Sequence, residues 1–240
     1  MLTLCIDTSC NTAGVSICEN GIIISEISIN DRNTHSVKLM PAVDYLFKIA
    51  GKDVSDLDLI AVVNGPGSYT GLRIGVSAAK AISYSADVPV VGVNTLDFLA
   101  YSAACADDGY ICPVIDARNT HMYFALYNIQ KDGCVRKTER IIEYGAMPAD
   151  EMCEVVKSKT QSPVLFIGDG VIANRELLKQ LFGENFIEAD SYQVLGRVSF
   201  AAKIAEDIYQ SKKDIEDFSA EALDVYYLRT PRISAPKKRV

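Results

Sequence analysis

Ile6-Asp7-Thr8-Ser9 and Ile115-Asp116-Ala117-Arg118 each set an aspartate where an apolar run breaks into a polar turn. Two carboxylates at such strand ends could face one another across a cleft and share acid–base work. Turns of this kind also offer backbone N–H groups to a phosphate. The plainer reading is local, and it is favoured here. Asp, Ser, Thr and Asn hydrogen-bond their own backbone in turns, so each aspartate caps its own loop. The second turn carries Ala117-Arg118 where close approach of a phosphate asks for glycine.

The stretch Asn64-Gly-Pro-Gly-Ser-Tyr-Thr-Gly-Leu-Arg-Ile-Gly75 is the other candidate for phosphate chemistry. A Walker loop needs Gly-Lys-Ser/Thr entering its helix, and no lysine lies between Lys52 and Lys80. The dinucleotide spacing Gly-x-Gly-x-x-Gly is absent, because the glycines stand at 65, 67, 71 and 75. What remains is a tight turn at Pro66-Gly67 followed by close helix packing at Gly71 and Gly75. Ser68 lies outside any Gly-x-Ser-x-Gly elbow. The two histidines, His35 and His121, sit in different halves with no local metal spacing. The seven cysteines contain no Cys-x-x-Cys pair and mostly stand among apolar residues, which reads as reduced core thiols.

Composition narrows the setting. The 240 residues are 49% hydrophobic and 23% charged, an ordinary globular mix with ample length for a core. A net charge of −7 argues against a surface built mainly for nucleic-acid backbone. No apolar run approaches the ~20 residues of a membrane span. The N-terminus enters a strand at once with no basic segment, so a cytoplasmic protein without a secretory leader is expected.

The elements that must position these residues repeat. Strands are expected over 2–6, 15–18 and 22–29, a helix over 36–50, a strand over 57–63, a helix over 71–87, a strand over 88–93 and a helix over 95–106. Pro41 either starts the first helix or kinks it. The order then recurs, with strands 111–115, 121–129 and 134–143, a helix 148–158, a strand 164–167, the turn Gly168-Asp-Gly170 and a helix 172–182. A helix over 192–211 and a Tyr-Tyr-Leu-Arg segment at 226–229 follow. Both halves place Ile-Asp at the end of their first strand and a glycine turn after their fourth. The expected fold is therefore α/β and duplicated, of the actin-like ATPase (ASKHA, ribonuclease H-like) class, each half a mixed five-stranded sheet flanked by helices. The expected division is 1–106, 107–228 and a basic tail 229–240. In that architecture nucleotide phosphates sit between the two first-strand turns and adenosine sits near the second glycine turn. Here a vestigial site of that kind would comprise Asp7, Thr8, Ser9, Asp116, Arg118, Gly168 and Gly170.

Ile6-Asp7-Thr8-Ser9, His35-Ser36 with Leu39 and Pro41, Gly65 to Gly75, Ile115-Asp116-Ala117-Arg118 and Tyr227-Leu228-Arg229 together resemble the TsaB family. These landmarks span the chain in the family's order. The resemblance implies a non-catalytic scaffold and dimerisation subunit for the transfer of threonylcarbamoyl to adenosine in tRNA. Its implied partners are the catalytic paralogue TsaD and the ATPase TsaE, with tRNA reached only through the complex and no membrane partner. No cofactor, metal or catalytic residue is expected. TsaD carries His-x-x-x-His just after the strand matching 88–93, where this chain reads Asn94-Thr-Leu-Asp-Phe-Leu99. A kinase of the same fold and a glycoprotease-like metallopeptidase are the alternatives. The altered turn at Ala117-Arg118 argues against the first and the histidine count against the second.

Partner binding is expected on two helices. Leu39, Met40, Val43, Leu46 and Phe47 cover a wider arc than one packing face needs. Gly71, Gly75, Ala78, Ala79 and Ile82 form a run of small or apolar residues that lets another helix approach closely. The expectation is pairing with the matching helices of TsaD, and with a second copy of this chain when TsaD is absent. The tail's Arg229, Arg232, Lys237, Lys238 and Arg239 are expected to be solvated, or at most to assist docking.

Overall fold

A computed structural model describes residues 1–31, 35–103, 108–118, 120–132, 135–190, 195–214 and 216–229. The tail cations Arg232, Lys237, Lys238 and Arg239 lie outside the described residues.

The first half builds β1 (Leu2–Asp7), β2 (Thr12–Glu19), β3 (Ile22–Asn30), α1 (His35–Ala50), β4 (Leu59–Gly65), α2 (Tyr69–Ala86), β5 (Val90–Asn94) and α3 (Thr95–Ala103). The second half builds β6 (Gly109–Asp116), β7 (His121–Asp132), β8 (Val135–Pro148), α4 (Ala149–Lys157), β9 (Val164–Ile167), α5 (Asp169–Phe182) and β10 (Phe186–Glu188). Helix α6 (Ser199–Lys212) closes the regular structure. The sheet orders are β3-β2-β1-β4-β5 and β8-β7-β6-β9-β10, with a two-hairpin meander, then parallel strands, in each. The two halves therefore share one topology, and the duplicated actin-like fold stands.

Central strands β1 and β4 are buried almost throughout, which is why they read as apolar runs rather than alternating ones. Three cores stack through the molecule. Helices α1 and α2 cover one face of the first sheet around Leu4, Ile6, Leu46, Ile60 and Val76. Helices α3 and α6 fill the space between the sheets, where Val63, Phe98, Ala201, Ile115 and Ile167 share one cluster. Helices α4 and α5 cover the outer face of the second sheet around Phe124, Met152 and Phe166.

Several boundaries differ from expectation. Pro41 lies inside α1, so of its two expected placements only the one at the helix start falls away. Ser68 caps α2, its hydroxyl accepting from the Gly71 amide at 3.3 Å, so the helix begins at Tyr69. Strand β8 runs on to Pro148 because His121, at the start of β7, still has a partner there. The short β10 has only three residues, too few to leave a periodic signal. Helix α6 starts at Ser199 and lies against β1, β2, β4 and β5. A helix grouped in sequence with the second half thus serves the sheet of the first.

Candidate interaction face and the cleft between the halves

The glycine-rich stretch is laced onto the β1–β2 turn. A Cβ on Gly67 would lie 2.2 Å from the Ser9 carbonyl oxygen, and one on Gly71 would lie 2.1 Å from that of Thr8. At Gly75 it would meet the Thr8 hydroxyl at 2.4 Å. Gly65 has φ +130° and abuts the Tyr226 carbonyl oxygen. Two hydrogen bonds fasten the turn. The Ser68 amide donates to the Ser9 carbonyl at 2.6 Å, and the Thr8 hydroxyl donates to the Gly71 carbonyl at 2.7 Å. The glycines serve tight turning and close packing, as their spacing suggested.

The residues of the two turns bond mainly within their own turns. The Asp7 carboxylate accepts from the Ser9 amide at 2.8 Å, and the Asp116 carboxylate accepts from the Arg118 amide at 2.8 Å. Each caps its own turn. Burial raises the Asp7 carboxyl, against the lowering effect of its Ser9 hydrogen bonds and of nearby His35. Arg118 and Thr120 adopt left-handed backbone, with φ +67° and +62°. Gly168, with φ +111°, sits against the Val114 carbonyl, and Gly170 against the backbone of Val114 and Ile115. Thr8, Ser9, Gly168 and Gly170 are thus occupied by the protein's own packing.

The residue that the sequence did not single out is Asp169. Its carboxylate accepts from the Asp116 amide at 3.1 Å and from the Asn11 side chain at 3.3 Å, joining the turns of the two halves. The available signal was an acid in the first turn of a helix that follows a glycine. The Cys10 thiol lies nearby. Burial pushes it well above its ordinary value, and Asp169 and Asp7 push it further, so it stays protonated. His35 Nε2 is 3.1 Å from the Cys10 carbonyl. Among the described residues, no group of three or more His, Cys, Asp or Glu side chains is placed to hold a metal ion.

On α1 and α2 the structure redraws the expected face. Leu39, Val43, Leu46 and Phe47 are buried in the protein's own core, and so are Gly71, Gly75, Ala79 and Ile82. One helical stripe faces the sheet and the neighbouring helix, and these residues lie on it. Of the ten expected interface residues only Met40 is exposed, while Ala78 is half-buried. The exposed apolar residues are their neighbours: Val37 (70%), Met40 (48%), Tyr45 (56%) and Ile49 (56%) on α1, with Tyr84 (77%) on α2. Small residues Ser77 and Ala81 are exposed between the α2 aromatics. At the start of α2, Arg73 stacks over the Tyr69 ring at 4.2 Å and donates from Nε to the Tyr227 hydroxyl at 3.1 Å. Tyr227 stacks on Tyr69 at 5.5 Å. A shallow depression of about 470 Å³ over Tyr69, Thr70, Arg73, Ile74 and Ser77 lies on this face.

Comparisons with known proteins agree on the relationship. A family model described as "TsaD: tRNA N6-adenosine threonylcarbamoyltransferase" matches residues 22–230. The tRNA threonylcarbamoyladenosine biosynthesis protein TsaB of Bacillus subtilis (strain 168) is 36% identical over 183 residues, covering 76% of this chain and 77% of that protein. A Pseudomonas aeruginosa crystal structure, described as an uncharacterized protein with similarity to peptidase YEAZ, superposes with a TM-score of 0.77. It is 21% identical and covers 95% of this chain and 99% of its own. The ROK hexokinase of Thermus thermophilus shares the fold alone, with a TM-score of 0.51 at 11% identity over 88% of this chain and all of its own. With that match in length and identity to the Bacillus subtilis protein, and with its landmarks in order from Ile6 to Arg229, the chain belongs to the TsaB family.

Proposed function

We propose that this chain is the non-catalytic scaffold subunit of the complex that transfers a threonylcarbamoyl group to adenosine in tRNA, and that it binds and supports TsaD. The observation that carries the reading is the outer face of α1 and α2. Val37, Met40, Tyr45, Ile49 and Tyr84 lie exposed on two adjoining helices, with Ser77 and Ala81 small enough to admit a facing helix. Two helices of TsaD would pair with them in a four-helix contact. A second copy of the chain would use the same face when TsaD is absent. TsaE would join the assembled complex, and tRNA would be contacted only through that complex. The cytoplasm, where tRNA is modified, is the place for such a role. The cleft suits a non-catalytic subunit, because Asp7, Asp116 and Asp169 each hold a backbone amide of the protein itself.

The test uses exposed positions. Met40→Asp and Ala81→Glu should leave the monomer folded by circular dichroism and abolish the TsaD complex by size-exclusion mass measurement. An unpaired charge buried in an interface costs on the order of 3–5 kcal/mol. Full TsaD binding by both variants would rule the face out. Threonylcarbamoyl transfer by the purified chain, free of TsaD, would rule out the scaffold role.

A further inference from the structure

A second cavity lies away from both the partner face and the cleft. It opens between the β2–β3 hairpin, Tyr101 at the end of α3 and the first two turns of α6, with a volume of about 230 Å³. Its wall is mostly apolar and aromatic, from Cys18, Ile23, Tyr101 and Phe200, with Lys203 also lining it, and the two rings meet edge to face at 5.7 Å. Two buried polar side chains line it, Glu206 at 8% and Ser199 at 7% exposure.

Both are short of partners. A carboxylate offers about four acceptor sites. Among the described residues, Glu206 takes one hydrogen bond, from the Thr3 hydroxyl at 2.8 Å, and joins no ion pair. The nearest cation on its helix, Lys203, is bonded to Asp207 instead. The Ser199 Oγ is buried with no hydrogen-bond partner. Its own amide is taken by Glu26 at 3.1 Å, so the start of α6 is not free to hold an anion. A buried unpaired hydroxyl and an under-satisfied carboxyl both cost stability unless something fills them.

The two groups lie seven residues apart on one face of α6, about 10 Å along the axis at ~1.5 Å per residue. Between them the cavity is greasy. At ~30 Å³ per water it holds the volume of about seven or eight waters, which suits a short linear molecule. A buried carboxylate with acceptor sites to spare is the chemistry that selects an ammonium group. We propose that this cavity is a binding site for a small primary alkylammonium. Its charged end sits at Glu206, its chain lies along the apolar wall, and a hydroxyl at its far end meets Ser199 near the Phe200 ring.

The probe is 5-aminopentan-1-ol, titrated into the full-length chain by calorimetry and followed by amide chemical shifts. Saturable binding is expected, with shifts confined to residues 18–23, 101 and 199–206. The neutral 1,5-pentanediol should bind at least tenfold more weakly. Glu206→Gln, which keeps an acceptor for Thr3, should weaken the amine at least tenfold and leave the diol unchanged. Ser199→Ala should weaken aminopentanol several-fold and leave n-pentylammonium, which has no hydroxyl, unaffected. That variant keeps the test open should Glu206→Gln fail to fold. N-acetyl-lysine methylamide separates a free amine from a partner's lysine side chain. Binding of that compound alone would overturn the small-molecule site, as would absence of saturation, equal binding of amine and diol, or indifference to both substitutions.

Discussion

At Thr8 one residue meets two glycines, its carbonyl against Gly71 and its hydroxyl against Gly75. The two positions should therefore differ in what they tolerate. Gly71→Ala drives a methyl into backbone that cannot rotate away, and a loss of about 1–3 kcal/mol is expected from urea unfolding. Gly75→Ala meets a hydroxyl that can turn aside at the cost of its bond to Gly71, so about 0.5–1.5 kcal/mol is expected. Asp7 makes a prediction about pH. Burial raises its carboxyl above the ordinary value of 3.8, so the native state holds this proton longer than the unfolded chain does. Asp7 therefore lowers stability as pH rises through the window just above 3.8, and the deficit persists at neutral pH. Asp7→Asn keeps an acceptor for the Ser9 amide and should abolish that slope, leaving the variant more stable than wild type at pH 7 but not at pH 3. Parallel urea curves at both pH values decide it.

At the scale of the element, α1 shows how one helix divides its duties. Its inner stripe, with Leu39, Val43 and Leu46, packs on β-strands, while Val37, Tyr45 and Ile49 face outward. Leu46→Ala should cost about 2–5 kcal/mol, because it opens a cavity in a filled core. Ile49→Ala should leave monomer stability within about 0.5 kcal/mol and weaken only the partner complex. Thermal unfolding of each variant, set beside its TsaD affinity, separates the two faces. If Ile49→Ala proved as destabilising as Leu46→Ala, the outward assignment of that residue would fail.

Across the whole molecule, the halves are held by more than their shared core. Asp97 of α3 accepts from the Tyr127 hydroxyl of β7, from the Tyr144 hydroxyl of β8 at 2.6 Å and from Arg140 at 3.3 Å. Burial, and then the Asp97 carboxylate, holds the Tyr127 hydroxyl protonated far above its ordinary range. Tyr144 in turn meets Tyr226 edge to face, and the Tyr226 amide donates to the Asn64 carbonyl at 2.8 Å. The segment after α6 is thereby tied to both halves. Asp97→Ala strands the buried Tyr127 hydroxyl, and a loss of about 1–3 kcal/mol is expected in urea unfolding. Asp97→Asn, which can still accept from one tyrosine, should lose less.

Local rules were enough to read much of this protein. Alternation, turn residues and the recurring Ile-Asp strand ends disclosed the duplication, because each depends on neighbours within a few residues. The close approach at Gly71 and Gly75 was legible for the same reason, since a missing Cβ is a property of the residue itself. The identity of the outward face was not. Leu39 and Met40 are adjacent and both apolar, and only the angle at which α1 meets its sheet decides that one is buried and the other exposed. The Asp169 strut, the Asp97 cluster and the Glu206–Ser199 cavity each join residues from distant parts of the chain. Sequence spacing carries no record of such contacts. Only the tertiary structure, by stacking α3 and α6 between the two sheets, brings them within reach.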